Sequence, residues 1–97
     1  MVDDLTTTAG TLCAAAKCLK ASGAIDIYAA VTHATITATG VARLKTCPIK
    51  ELVVTDTVPL QVEGSDLPIK VLSVAELFGE AIIRVHEHRS LNSLFNM

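Results

Sequence analysis

VDDLTTTAGTLCAAAKCLKASGAIDIYAAVTH, residues 2–33, runs from the end of a strand through a turn into a helix and on to a second strand. In the helix, residues 11–22, Leu12, Ala15, Ala16 and Leu19 share a face. Lys17 and Lys20 stand towards its C-terminal end, and Gly23 is a natural stop. Residues 25–32 read as a buried strand ending at His33. Working outward, a Thr-rich stretch at 37–45 predicts a short helix weakened by Gly40, and ELVVTDTV (51–58) a strand closed by Pro59. QVEGSDLP (61–68) is a loop and IKVLSV (69–74) another strand. Over 75–88, Leu77, Phe78, Ala81, Ile82 and Val85 keep the 3.6-residue period while Glu76, Glu80 and Glu87 face outward, so this is the best helix of the chain. Strands alternating with helices in aliphatic runs predict an α/β fold, a parallel sheet with helices on both faces. Val2-Asp3-Asp4 is then the tail of a buried strand. Its beginning is absent, so the chain reads as a piece of a larger α/β protein or one that pairs with another chain.

Composition agrees. Ninety-seven residues allow one small domain, 51% of them are hydrophobic, and only three are aromatic. Ten acids against eight bases give a net charge of −2, which excludes the broad basic footprint of a nucleic-acid binder. No apolar run approaches the roughly 18 residues of a membrane span and the polar start is no signal peptide. A cytoplasmic protein is expected, with no nucleic acid or membrane as partner. Cys13, Cys18 and Cys47 contain no CxxC pair, so reduced thiols are expected rather than a disulfide framework or a zinc site.

The turn between the first strand and helix carries the chemistry. Amides from Thr7 to Thr11 at a helix N-terminus, with the dipole behind them and the Thr8 and Thr11 hydroxyls beside them, suit a phosphate. Ala9 lies within that run, and Gly10 lets the backbone approach an anion closely. Asp3 and Asp4, just upstream, are placed to accept from ribose hydroxyls. A plain helix cap reads the same residues without a ligand.

The order Val-Asp-Asp-x-x-x-Thr-x-Gly-Thr at residues 2–11 resembles the phosphoribosyl-binding loop of type I phosphoribosyltransferases, and within them the ribose-phosphate pyrophosphokinase family. The stretches AAAKCLKASGAIDIYAAVTHA, ELVVTDTVPL and IKVLSVAELFGEAIIRVHEHRSLNSLF are similar to the C-terminal half of that family, in order. The resemblance implies that residues 1–97 are a partial phosphoribosyltransferase-like domain at the C-terminus of a longer chain. It implies a ribose 5-phosphate site at Asp3, Asp4 and Thr7 to Thr11, for transfer of pyrophosphate from ATP with Mg²⁺ on the phosphates. The ATP-binding residues, the metal ligands and the catalytic loop belong to the missing half, so the chain alone is expected to be inactive. In the tail, Ser90 and Phe95 match residues of a regulatory site at a subunit interface, where Asn92 stands in place of the usual Ser and can still donate a hydrogen bond; this implies a homo-oligomer. The alternative covering for Leu91, Leu94 and Phe95 is the edge of the chain's own sheet.

Two places outside the tail also depart from the family pattern. Thr7 stands where a third Asp is usual, so ribose orientation loses a charge while phosphate cradling keeps its donors. Ala34 to Gly40 replaces a Gly and Pro-containing turn, so that loop is remodelled. A non-catalytic subunit that modulates a full-length enzyme is the alternative function, and a base-specific phosphoribosyltransferase is disfavoured by the Ser-Leu-Phe ending. His33 at a strand end reads either as a ligand contact or as a hydrogen-bonded strand terminus. Asp56 and Thr57 read as pocket lining or a turn. His86 and His88, two apart on a helix, diverge and do not chelate.

Overall fold

A computed structural model describes residues 1–60 and 67–95. Four strands, β1 (Val2–Thr6), β2 (Tyr28–Ala34), β3 (Glu51–Thr55) and β4 (Ile69–Leu72), form one parallel sheet in the order β1-β2-β3-β4. Helix α1 (Gly10–Ala21) connects β1 to β2, α2 (Ala38–Thr46) connects β2 to β3, and α3 (Ala75–His86) follows β4. The expected α/β class and parallel pairing are present. Of the loop expected at 61–68, residues 61–66 lie outside the described residues.

Strand order corrects the expected layering. In a parallel sheet whose strands follow one another in sequence order, right-handed crossovers all fall on the same face. Accordingly Leu12, Cys13 and Ala16 of α1 and Leu44 of α2 share one core with Ala29, Val31, Leu52 and Val54. The buried stripe of α1 is turned towards Cys13, and Leu19, expected inside, is exposed. On the opposite face Val2, Ala30, Val53 and Lys70 form a row across all four strands. Val2 is 89% exposed at its edge and Ala30 and Val53 are half-buried. Within this chain Val2-Asp3-Asp4 lies in a strand at the edge of the described sheet, where only Thr6 of β1 is buried. The two-layer build shows in Cα extents of 50 × 29 × 17 Å.

The strongly amphipathic α3 buries none of its residues. Phe78, Ile82, Ile83 and Val85 are all at least half exposed. The radius of gyration of 16.0 Å exceeds the roughly 12–13 Å of a close-packed chain of this length. Both long helices end alike, each with a left-handed residue closing the last turn. After α1, Gly23 (φ 103°) donates to Lys20 O at 3.2 Å and Ala24 to Leu19 O at 3.0 Å. After α3, His88 (φ 55°) donates to Val85 O at 3.2 Å and Arg89 to Arg84 O at 2.7 Å. No helix among the described residues is long and apolar enough to cross a membrane.

Candidate functional site

β1 runs through Thr6, which shortens the turn to Thr7, Thr8 and Ala9 before α1 begins. Ala9 adopts a left-handed conformation (φ 58°, ψ 16°) although it carries a Cβ, and it is almost fully buried. Such a conformation costs about 1–2 kcal/mol for an L-residue and persists only where the surroundings enforce it. A residue in αL is also the geometry by which successive amides turn into a concave anion nest. The first helical bond of α1 is Cys13 N to Ala9 O at 2.9 Å, and no side chain caps the helix. The amides of residues 9–12 therefore have no helical acceptor. The plain-cap reading loses its main feature here, because a capping side chain is what is missing.

The turn is held from behind by the remodelled segment. Thr35 N donates to Thr6 O at 3.0 Å and Thr37 N to Thr7 O at 3.1 Å. The Thr37 hydroxyl caps α2 by accepting from Gly40 N at 3.2 Å. A Cβ on Gly40 would stand 2.6 Å from Thr7 O, so the glycine expected to weaken α2 is what lets the helix seat against the turn. Arg43 donates from Nη1 to Thr8 O at 3.2 Å and lies over Gly10, where a Cβ would come within 2.8 Å of that nitrogen. The open side of Gly10 thus faces Arg43, not the anion it was expected to admit. Thr37 before α2 was a readable cap signal. Arg43 left none, since only folding brings it to a turn 35 residues away.

Asp3 and Asp4 do not converge. They are consecutive in β1, so their side chains leave on opposite faces. Asp3 falls in the row of Val31 and Val54, towards the helices, and its Oδ1 accepts from Asp4 N at 2.8 Å. Only one carboxylate can face a given ligand. Thr7 and Thr11 are exposed beside the turn.

Other residues singled out in the sequence have partners within the chain. His33 lies within β2, with Nδ1 at 2.7 Å from Thr57 Oγ1. Thr57 Oγ1 in turn donates to Thr32 O at 3.1 Å. Asp56 Oδ1 accepts from Val74 N at 2.8 Å, joining the end of β3 to the start of α3. That bond, with a second from Ser73, holds its carboxyl below the ordinary carboxylate value. Behind the turn, burial and then the neighbouring Cys13 thiol push Cys47 up to about 12. Among the described residues no group of three His, Cys, Asp or Glu converges on a metal position.

The tail forms a 3₁₀ turn, Asn92–Phe95. Asn92 N donates to Ser90 Oγ at 3.1 Å, and Arg84 of α3 holds the tail through Ser90 O and Ser93 Oγ. Leu94 lines a groove with Leu77 of α3, whereas Phe95 is 76% exposed.

A family described as the phosphoribosyl synthetase-associated domain matches residues 1–96. A ribose-phosphate pyrophosphokinase of Caldanaerobacter subterraneus subsp. tengcongensis is 53% identical over 98% of this chain, and one of Oceanobacillus iheyensis 46% over 99%. The chain spans about 30% of the length of these curated relatives. The crystal structure of phosphoribosylpyrophosphate synthetase from Mycobacterium smegmatis superposes with a TM-score of 0.82 at 33% identity, over 90% of this chain and 29% of that one.

Proposed function

The chain belongs to the phosphoribosyl synthetase-associated domain family, and from that membership we propose that it is the ribose 5-phosphate-binding part of a ribose-phosphate pyrophosphokinase. The observation that carries the reading is the uncapped start of α1, where the left-handed Ala9 leaves the amides of residues 9–12 without acceptors. A phosphate satisfies several of them at once, with the helix dipole behind it and the Thr8 and Thr11 hydroxyls at the rim. One of Asp3 and Asp4 accepts from the ribose, and the other serves the strand. Catalysis of this kind is positioning and charge neutralisation, of which this chain supplies the positioning of the acceptor sugar.

ATP and Mg²⁺ enter through the remainder of the longer polypeptide. The described residues do not fit a resident cation, because their one adjacent carboxylate pair diverges. A bare sheet face and an uncovered α3 support the same division of labour, and homo-oligomer formation through the exposed Phe95 is part of the proposal. So is a place in the C-terminal third of the enzyme.

In an amide NMR titration with millimolar ribose 5-phosphate, the amides of residues 8–12 should move, and silence there defeats the reading. Joining the remaining two thirds of a relative ahead of residue 1 should yield phosphoribosyl pyrophosphate synthesis, while the 97-residue chain alone yields none. Activity only when the remainder follows residue 97 would place the chain at the other end. A second reading, a non-catalytic associated subunit, is favoured by Thr7 in place of an acid. Under that reading the fusion is nearly inactive until Thr7→Asp restores ribose use, whereas under the first reading the fusion is active with Thr7 and Thr7→Asp improves its use of ribose 5-phosphate further.

A further inference from the structure

Beside Gly10, the groove between α1 and α2 widens into a cleft of about 340 Å³ lined by Gly10, Cys13, Ala14, Lys17, Arg43 and Thr46. A chain of net charge −2 places two cations and no carboxylate in this wall. Among the described residues neither Lys17 nor Arg43 is within 4.0 Å of an acid, while Lys50, Arg84 and Arg89 each have one. Arg43 is also pre-oriented. Its Nη1 is committed to Thr8 O and its guanidinium lies against Gly10, which leaves the rest of its five N–H donors to the cleft. Thr46 gives its hydroxyl proton to Arg43 O at 3.2 Å, so it steadies the α2 wall and presents only lone pairs. Donors on offer are thus an ammonium and a planar guanidinium on opposite walls, over a floor of small side chains.

We propose that this cleft is a second anion site, distinct from the turn, that takes a compact phosphate-class anion bridged between Lys17 and Arg43. Guanidinium favours the paired oxygens of a phosphate and the ammonium adds a point charge. The size is at the small end of ligand clefts. Lys17 is seven residues along α1 from Gly10, about 10 Å of helix, so it reaches the cleft without serving the amides of residues 9–12.

The test is an amide titration with inorganic pyrophosphate at low salt, with citrate as a carboxylate anion for comparison. Pyrophosphate should shift residues 13–17 and 43–46, and citrate should do so more weakly. Lys17→Glu, a change at an exposed position that leaves the core untouched, should weaken the response of residues 43–46 about tenfold, since one attraction becomes a repulsion. The ribose 5-phosphate response of residues 8–12 should remain. Arg43→Lys, which keeps the charge without the fork, should weaken pyrophosphate binding less than Lys17→Glu does. Shifts confined to residues 8–12, an equal response to citrate, or an unchanged response in Lys17→Glu would each overturn the site. Because the turn has its own ligand and its own amides, its failure leaves this result readable.

Discussion

Two twelve-residue helices of this chain behave in opposite ways. α1 has few large side chains, yet it buries Leu12, Cys13 and Ala16 and positions the turn. α3 carries Leu77, Phe78, Ile82, Ile83 and Val85 and buries none of them. An apolar stripe states that a face needs cover, and says nothing of where the cover comes from. For α1 the cover is the chain's own sheet. For α3 and the bare sheet face none of the described residues supplies it, and the chain spans about 30% of its relatives' length.

The largest test of that contrast pairs Leu52 with Phe78. Leu52→Ala removes a fully buried side chain from the centre of β3 and should cost about 2–5 kcal/mol in urea melts. Phe78→Ala in the isolated chain should stay within about 0.5 kcal/mol, as for other exposed positions. Equal losses would mean that α3 is packed in solution after all.

A second pair uses two helical glycines. Gly40→Ala drives a Cβ into the Thr7 carbonyl and should cost about 1–3 kcal/mol while weakening ribose 5-phosphate binding. Gly79→Ala meets nothing within 4 Å in α3 and should stabilise by up to about 1 kcal/mol through helix propensity. A loss at Gly79 would reveal a neighbour that this structure does not contain.

The helix ends offer a finer version. Gly23→Ala should cost about 1 kcal/mol, and His88→Gly should return a similar amount, since both residues close a helix with positive φ and only one is free of Cβ strain. Thermal melts of the two variants should shift in opposite directions.

The smallest effect is the pH dependence at the joint between the two regions. The folded carboxyl of Asp56 titrates below its ordinary value of 3.8, first through the Val74 amide. Its contribution to stability is therefore full above that value and lost as pH falls through the lower folded one. Asp56→Asn should lower the melting temperature slightly at neutral pH, where the charge contributes in full, and flatten the acid limb of the melting curve below about pH 4, where wild type and variant converge. An unaltered acid limb would show that the Asp56 bond does not hold β3 to α3.

Much of the site could be read from residues alone because its parts are local. A Thr-rich, glycine-containing turn before a helix calls for an acceptor whatever the rest of the chain does. The inference failed where two residues adjacent in sequence had to be resolved in space. Asp3 and Asp4 look like a pair, and the pleat of β1 separates them. It failed again where residues distant in sequence meet, as Arg43 and Gly40 do at the turn.

The α/β alternation, the parallel pairing and the stop at Gly23 follow from the sequence alone, because periodicity and φ preference are properties of short stretches of backbone. Strand order, and with it the face on which α1 and α2 lie, is a long-range choice. It put β1 at one edge of the four described strands and both crossover helices on one face. The same choice brought Arg43 over Gly10. Those are the features that tertiary structure alone decided, since no local pattern encodes which strand becomes a neighbour.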